Sequence, residues 1–94
     1  MPSEMVMYQK FDFTGEDAFI RIKVWWVDPS VPASQHNYKY SLVYVVSGVC
    51  VLRYDNEAGK GDHKHVGDNE YPVSFTSLQD LLAQFRADVT RMRS

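Results

Sequence analysis

The segment YKYSLVYVVSGVCVLRYDN, residues 38–56, decides the fold because it holds two strand-forming runs around one tight turn. β-Branched and aromatic residues dominate residues 38–46 and 49–55, and such residues favour extended strands. Ser47 and Gly48 lie between the runs and have the length and composition of a two-residue hairpin loop. The segment therefore predicts an antiparallel β-hairpin.

The position of the turn also predicts the register of this hairpin. Counting back from the turn places Leu42 opposite Arg53 and, on the same face, Tyr40 opposite Asp55. The end next to the turn is then apolar on both faces, whereas the open end is polar. The open end carries Lys39, Tyr40, Arg53, Tyr54, Asp55 and Asn56. We expect the polar segment at residues 57–70 to start beside these side chains.

The rest of the chain predicts three more strands and one helix. Residues 5–13, 18–27 and 71–75 have strand patterns, and Pro72 places the last of them near a sheet edge. Apolar residues then recur at helical spacing at Leu78, Leu81, Leu82, Phe85, Val89 and Met92. Ser77 with Asp80, or Thr76 with Gln79, predicts the N-terminal cap. We expect an α+β fold: an antiparallel β-sheet of about five strands built from sequential hairpins, with one C-terminal α-helix packed on one face.

Length and composition are those of one small globular domain over residues 1–94, with 45% apolar and 23% charged residues. The single cysteine, Cys50, excludes a disulfide within the chain. No secretory-signal pattern and no apolar run long enough for a bilayer is present, so we expect a cytoplasmic protein that does not enter the membrane. The net charge of −2 argues against coating nucleic acid by bulk charge, but it is compatible with a local basic pocket.

The second face of the sheet predicts a protein contact. One helix covers only one face of such a sheet, yet the central strands carry apolar or aromatic residues on both faces, Tyr44 and Trp25 among them. Either the sheet curls on itself or this face meets another chain. We favour the second alternative and expect a homodimer or a protein partner.

The polar segment after the hairpin is open to three interpretations. His63 and His65 would point the same way on an extended segment and, with Asp55 or Asp62, could hold a metal ion. Alternatively, the histidines could transfer protons during metal-independent RNA cleavage, because the unperturbed pKa of histidine lies near neutral pH. The third interpretation is a solvated loop, since glycines and charges of both signs alternate here.

The chain also resembles the TumE family of small bacterial and archaeal proteins. The residues that carry the resemblance are IRIKVWWV (20–27), Tyr38-Lys39-Tyr40-Ser41, Leu52-Arg53-Tyr54-Asp55-Asn56, Gly59-Lys60-Gly61, His63-Lys64-His65 and Phe75-Thr76-Ser77. The resemblance implies the toxin half of a toxin–antitoxin pair with a helix-turn-helix antitoxin as its cognate partner. By analogy with other small toxins it implies an RNA target. It brings no assignment of catalytic residues.

Our leading hypothesis is therefore a toxin-like ribonuclease that needs no metal or other cofactor. Its expected catalytic residues are His63, His65, Lys60, Arg53, Asp55 and Tyr54, and its expected substrate-binding residues are Lys39, Tyr40, Lys64 and Asn56. One alternative is a non-enzymatic module that dimerises or binds a partner through the aromatic second sheet face. The other is a metal-dependent hydrolase that uses His63 and His65 as ligands.

Overall fold

The computed structural model describes residues 3–94, which form one antiparallel sheet and one helix. The strands are β1 (Ser3–Asp12), β2 (Ala18–Val27), β3 (Tyr38–Val46), β4 (Val49–Glu57), β5 (Gly61–Val66) and β6 (Asn69–Pro72), and the helix is α1 (Leu78–Arg93). The strands lie in the order β1-β2-β3-β4-β5-β6, and each pairs antiparallel with the next. The α+β fold predicted from the sequence is confirmed, with six strands rather than about five.

The additional strand comes from the polar segment, so the interpretation of that segment as a solvated loop is wrong. Strand β5 pairs with β4 along residues 61–66, and a tight turn then leads into β6, which starts at residue 69 rather than 71. Gly59 and Gly67 lie in these two turns with φ of 86° and 59°, a backbone region that glycine adopts without strain. The turns let polar strands continue the sheet.

The predicted register of the central hairpin holds only beside its turn. Val46 pairs with Val49, but a β-bulge then shifts the register by one residue, with Val51 as the extra residue. Leu42 consequently pairs with Tyr54 rather than with Arg53. The predicted pairing of Tyr40 with Asp55 is wrong for the same reason.

Helix α1 packs its apolar stripe on one face of the sheet. The Ser77 hydroxyl caps the helix by accepting a hydrogen bond from the backbone N–H of Asp80 at 3.0 Å, as one of the two predicted caps requires. Leu81, Phe85 and Val89 are buried against strand residues that include Tyr54, whose ring meets Phe85 edge to face at 5.6 Å. Burial of each such side chain contributes about 1.5–3 kcal/mol. The helix therefore anchors β2, β3 and β4 and leaves their other face uncovered.

We call the uncovered side the helix-free face, and it is only in part the aromatic surface that the sequence predicted, because Trp25 lies on it and Tyr44 does not. Tyr44 lies under the helix with 4% of its surface exposed. Besides Phe19 and Trp25, the helix-free face carries Arg21, Lys23 and Arg53 across the central strands. Four of the exposed large apolar side chains lie on the edge strand β1, and the others are spread over β2, β4, β6 and α1; those on β1 are Met5, Val6, Tyr8 and Phe11. In the described residues, α1 is too short and too polar to span a membrane.

Candidate active site

Strands β4 and β5 bring four of the predicted catalytic residues together on the helix-free face. Asp55 pairs with His63, and Arg53 pairs with His65 two residues away. Directly paired side chains share one face of a sheet with Cβ atoms about 5 Å apart, so the four form one cluster. The two imidazole rings meet edge to face with their centroids 4.9 Å apart. We call Arg53, Asp55, His63 and His65 the β4–β5 cluster.

Polar atoms of the cluster approach closely without forming hydrogen bonds. Asp55 Oδ1 lies 2.8 Å from His63 Nε2, and Asp55 Oδ2 lies 3.2 Å from Arg53 Nε. Neither contact is aligned as a hydrogen bond: Asp55 Oδ1, His63 Nε2, His65 Nε2 and Arg53 Nε are all buried atoms without a partner. Because buried polar groups are almost always paired, four such atoms in one cluster are typical of a binding or catalytic site.

The cluster has a buried floor and an open side. The side chains of His63 and Asp55 are 4% and 13% exposed, whereas those of His65 and Arg53 are 25% and 42% exposed. The His63 ring is oriented from below, since its Nδ1 lies 3.0 Å from the backbone carbonyl oxygen of Gly61 in hydrogen-bond geometry. A substrate can therefore approach only from the side of His65 and Arg53.

Glu70 at the rim of the cluster was missed in the sequence. It pairs with His65 across β5 and β6, and its Oε2 lies 3.6 Å from His65 Nε2. The Nζ of Lys60, a predicted catalytic residue, lies 3.8 Å from the same carboxylate oxygen, so Lys60 is also at the rim. The two-residue turn at Gly67 and Asp68 was the available signal, because it predicts a hairpin that places His65 opposite Glu70.

Two other predicted site residues, Tyr54 and Lys64, lie on the opposite face of the sheet, under the helix. The Tyr54 hydroxyl donates a hydrogen bond to Asp88, and Lys64 Nζ lies 2.9 Å from the same carboxylate. Burial, reinforced by the hydrogen bond to Asp88, raises the pKa of Tyr54 above its usual value. Both side chains are engaged in joining the sheet to α1 and do not face the β4–β5 cluster.

Tyr40 and Asn56 also lie on the helix side, where each is fully buried. The Tyr40 hydroxyl donates to Asp62 Oδ1 at 2.7 Å, and His36 Nε2 lies 2.9 Å from the same oxygen. Asp62 is thus bound to these two side chains on the far face, and of the two proposed carboxylate ligands only Asp55 joins the histidines. Lys39 lies on the helix-free face, but its Nζ donates to the backbone carbonyl of Asn56 at 2.7 Å.

A band of cations leads across the sheet to the cluster. Lys10 pairs with Arg21 and Arg21 with Val43, which in turn pairs with Arg53, so one row of side chains runs from β1 to β4. Lys23 lies beside Arg21 on the same face of β2. Among residues 3–94, no carboxylate lies within ion-pair distance of Arg21 or Lys23. We call Lys10, Arg21, Lys23 and Arg53 the cation band.

Comparison with known proteins identifies the family of the chain. A family model described as toxin TumE matches residues 3–93, nearly the whole chain. No match was found among curated proteins or among solved structures. The matched span includes every strand, the helix and the complete β4–β5 cluster.

Proposed function

Because this chain belongs to the TumE toxin family and is the toxin component of a toxin–antitoxin system, we propose that it acts by cleaving RNA at the β4–β5 cluster. The observation that carries the proposal is the convergence of Asp55, His63 and His65, with unpartnered buried polar atoms, beside the guanidinium of Arg53. The choice of RNA rests on analogy with other small toxins and on the cation band.

The cation band supplies the electrostatics that a nucleic acid needs. Neighbouring strands lie about 4.8 Å apart, so Arg21 on β2 and Arg53 on β4 are separated by roughly 10 Å, a span of one to two nucleotides. Lys10 lies 4.6 Å and Arg21 5.9 Å from the ring centroid of Phe19, which can itself stack on a base. A local track of this kind binds phosphates although the whole chain has a net charge of −2.

The cluster supplies groups for phosphodiester cleavage. The reaction activates a hydroxyl, donates a proton to the leaving oxygen and stabilises the negative charge that builds on the phosphoryl oxygens. Arg53 lies at the open side, where its guanidinium can bind those oxygens. His65 is the more exposed histidine and would contact the substrate, while Asp55 and His63 lie behind it. The three side chains can act by direct proton transfer or by holding a metal ion.

The test is induction of the chain in cells that lack its antitoxin, with growth and bulk RNA integrity followed together. We expect the wild type to stop growth and fragment RNA. The double variant His63→Gln, His65→Ala should do neither, while remaining folded by circular dichroism. His36→Gln is the matched control, because His36 lies outside the cluster and should keep activity.

Arg53→Met provides a second variant in case the double substitution does not fold. Arg53 is 42% exposed, so its truncation should leave the core intact while removing the cation nearest the cluster. Growth arrest with intact RNA in the wild type would contradict the ribonuclease proposal. Full activity in the folded double variant, or in Arg53→Met where the double variant does not fold, would contradict it as well.

The edge strand β1 favours a second candidate function, a non-enzymatic partner-binding module. Its exposed apolar side chains include Val6 and Phe11, which are 48% and 57% exposed, and an edge strand offers free backbone groups for pairing. We propose that β1 binds, in the cytoplasm, either a second copy of the chain to form a homodimer or the helix-turn-helix antitoxin. If Val6→Lys, Phe11→Lys abolishes dimerisation or binding of the antitoxin, and toxicity is unaffected by substitution of His63 and His65, the binding function is the correct one.

A further inference from the structure

We propose that Asp55, His63 and His65 bind one divalent first-row transition-metal ion, such as Zn²⁺, Mn²⁺ or Co²⁺. The three candidate ligand atoms, one from each residue, all lie within 4.8 Å of one another. The use of this ion in cleaving RNA rests on the proposed function, whereas its binding rests on the geometry of the cluster alone.

The contact between His63 and Asp55 calls for a cation. When His63 donates its Nδ1 proton to the carbonyl of Gly61, the lone pair of its Nε2 faces the carboxylate. Asp55 Oδ1 is then 2.8 Å away, and two acceptors at that distance repel each other. The contact does not have the alignment of a hydrogen bond. It does have the spacing of two ligands of one metal ion: ligand atoms that each lie about 2.1 Å from the ion are roughly 3 Å apart and point at the ion rather than at each other.

His65 completes the set of ligands. Its Nε2 is a third buried atom without a hydrogen-bond partner, and His65 lies on the same face of β5 as His63. Ligands of one ion stand about 3–4 Å apart, so a small movement of these side chains closes the site. One ion would satisfy three of the four buried atoms that lack a hydrogen-bond partner, and the fourth, Arg53 Nε, faces the other carboxylate oxygen of Asp55.

The neighbouring side chains act as a supporting layer for such a site. The backbone carbonyl of Gly61 orients the His63 ring and leaves its Nε2 free, the arrangement usual for metal-binding histidines. Arg53 lies 3.2 Å from Asp55 Oδ2, the oxygen that a singly coordinating carboxylate leaves free. The carboxylate is thereby oriented with Oδ1 towards the histidines.

The ligand chemistry identifies the class of ion and where the substrate would meet it. Two imidazole nitrogens and one carboxylate suit first-row transition ions better than Mg²⁺ or Ca²⁺, which prefer oxygen ligands. Three protein ligands leave at least one coordination position, and the open side of the cluster lies at His65 and Arg53. At that position an ion supplies Lewis acidity to a phosphoryl oxygen or a hydroxyl.

The test is direct binding to the purified chain after treatment with a chelator. Zn²⁺ is titrated by calorimetry, and Co²⁺ by its visible absorption, which reports nitrogen and oxygen ligands. We expect one ion per chain with micromolar or tighter affinity, and a rise in the thermal unfolding midpoint when Zn²⁺ is added. Asp55→Asn and His65→Ala should each weaken binding at least tenfold, whereas His36→Gln should bind like the wild type.

The outcomes separate this inference from the ribonuclease proposal. If the folded, stripped wild type binds neither Zn²⁺ nor Co²⁺ at 100 µM, or if Asp55→Asn and His65→Ala bind as tightly as the wild type, the metal site is refuted. RNA cleavage by the stripped chain without binding would refute the metal site and leave the ribonuclease standing. One-to-one binding that depends on Asp55 and His65, without RNA cleavage, would support the metal site and contradict the ribonuclease.

Discussion

Replacing Asp88 tests whether Tyr54 and Lys64 serve the fold rather than the site. Asp88 lies on α1 with 8% of its surface exposed and accepts hydrogen bonds from Tyr54, Lys64 and Arg91. The carboxylate therefore joins the helix to strands β4 and β5. Asp88→Ala should destabilise the fold, and Asp88→Asn should do so less. Neither Tyr54 nor Lys64 contacts the β4–β5 cluster, so we expect these substitutions to affect the fold rather than the site.

The magnitude follows from the exposure of the three donors. Tyr54 is 1% exposed, so its hydroxyl group cannot turn to water when Asp88 is removed. A buried donor left without an acceptor costs about 1–3 kcal/mol. Lys64 is 27% exposed and can turn towards water, so its loss adds only about 0.5–1 kcal/mol. Arg91 is 72% exposed and adds nothing measurable. We expect about 1.5–4 kcal/mol for Asp88→Ala and about 1–2 kcal/mol for Asp88→Asn, whose amide oxygen still accepts from Tyr54.

The pKa of Asp88 gives the same interaction a pH dependence. Burial raises the pKa, but the hydrogen bonds from Lys64, Tyr54 and Arg91 outweigh burial and hold the pKa below its usual value of 3.8. On acidification the unfolded chain then binds the proton first, which favours unfolding. The stability that Asp88 contributes is fully present above about pH 5, and it is lost as the pH falls below 4 and through the folded-state pKa.

Urea unfolding of wild type, Asp88→Asn and Asp88→Ala at pH 7 and pH 3 measures both effects. The free-energy difference between wild type and Asp88→Asn should shrink at pH 3. A difference that is equal at the two pH values, or a cost below 0.5 kcal/mol for Asp88→Ala, would refute the reasoning. RNA cleavage at 20 °C by folded Tyr54→Phe should equal that of the wild type, because Tyr54 lies on the far face.

Two further predictions concern the cation band and the core. The double variant Arg21→Glu, Lys23→Glu should bind RNA at least tenfold more weakly and with a smaller dependence on salt concentration. The control Arg86→Glu, on the exposed side of the helix, should change neither. Filter binding at two salt concentrations measures both quantities, and an unchanged salt dependence in the double variant would contradict the prediction. Asn56→Ala should cost about 1–3 kcal/mol in urea unfolding, because the buried backbone N–H of Tyr40 loses its acceptor. A cost below 1 kcal/mol would contradict this.

Local patterns were enough to predict most of the elements. In Ala18–Val27, Ile20, Ile22 and Val24 alternate with Arg21 and Lys23, and the ends of the strand in the structure match the prediction. Helix α1 starts at Leu78, directly after the capping residue Ser77 that the sequence indicates. These elements were predictable because their signals depend on neighbours within a few residues. The polar residues 61–66 were taken for a loop because they lack the apolar alternation by which a half-buried strand is recognised.

The candidate site was predicted in its members but not in its arrangement. Arg53, Asp55, His63 and His65 were all named as candidates, but their meeting could not be derived because the sequence provided no pairing between β4 and β5. Glu70 was missed because its position depends on the hairpin between β5 and β6. Tyr54 and Lys64 were placed in the site because they are adjacent in sequence to its members, but adjacent residues of a strand point to opposite faces.

One extra residue in β4 separates the core from the site. In the register counted from the turn, Arg53 and Asp55 would lie opposite Leu42 and Tyr40 and hence under the helix. The bulge at Val51 exchanges the faces, so that Leu52 and Tyr54 enter the core and the two charged residues reach the helix-free face. The hydrophobic pattern already favoured this outcome, because burying two charges in place of Leu52 and Tyr54 would cost far more than a bulge. Where a turn signal and a burial pattern disagree about register, the burial pattern is the stronger guide, and here it also determines which side chains meet His63 and His65.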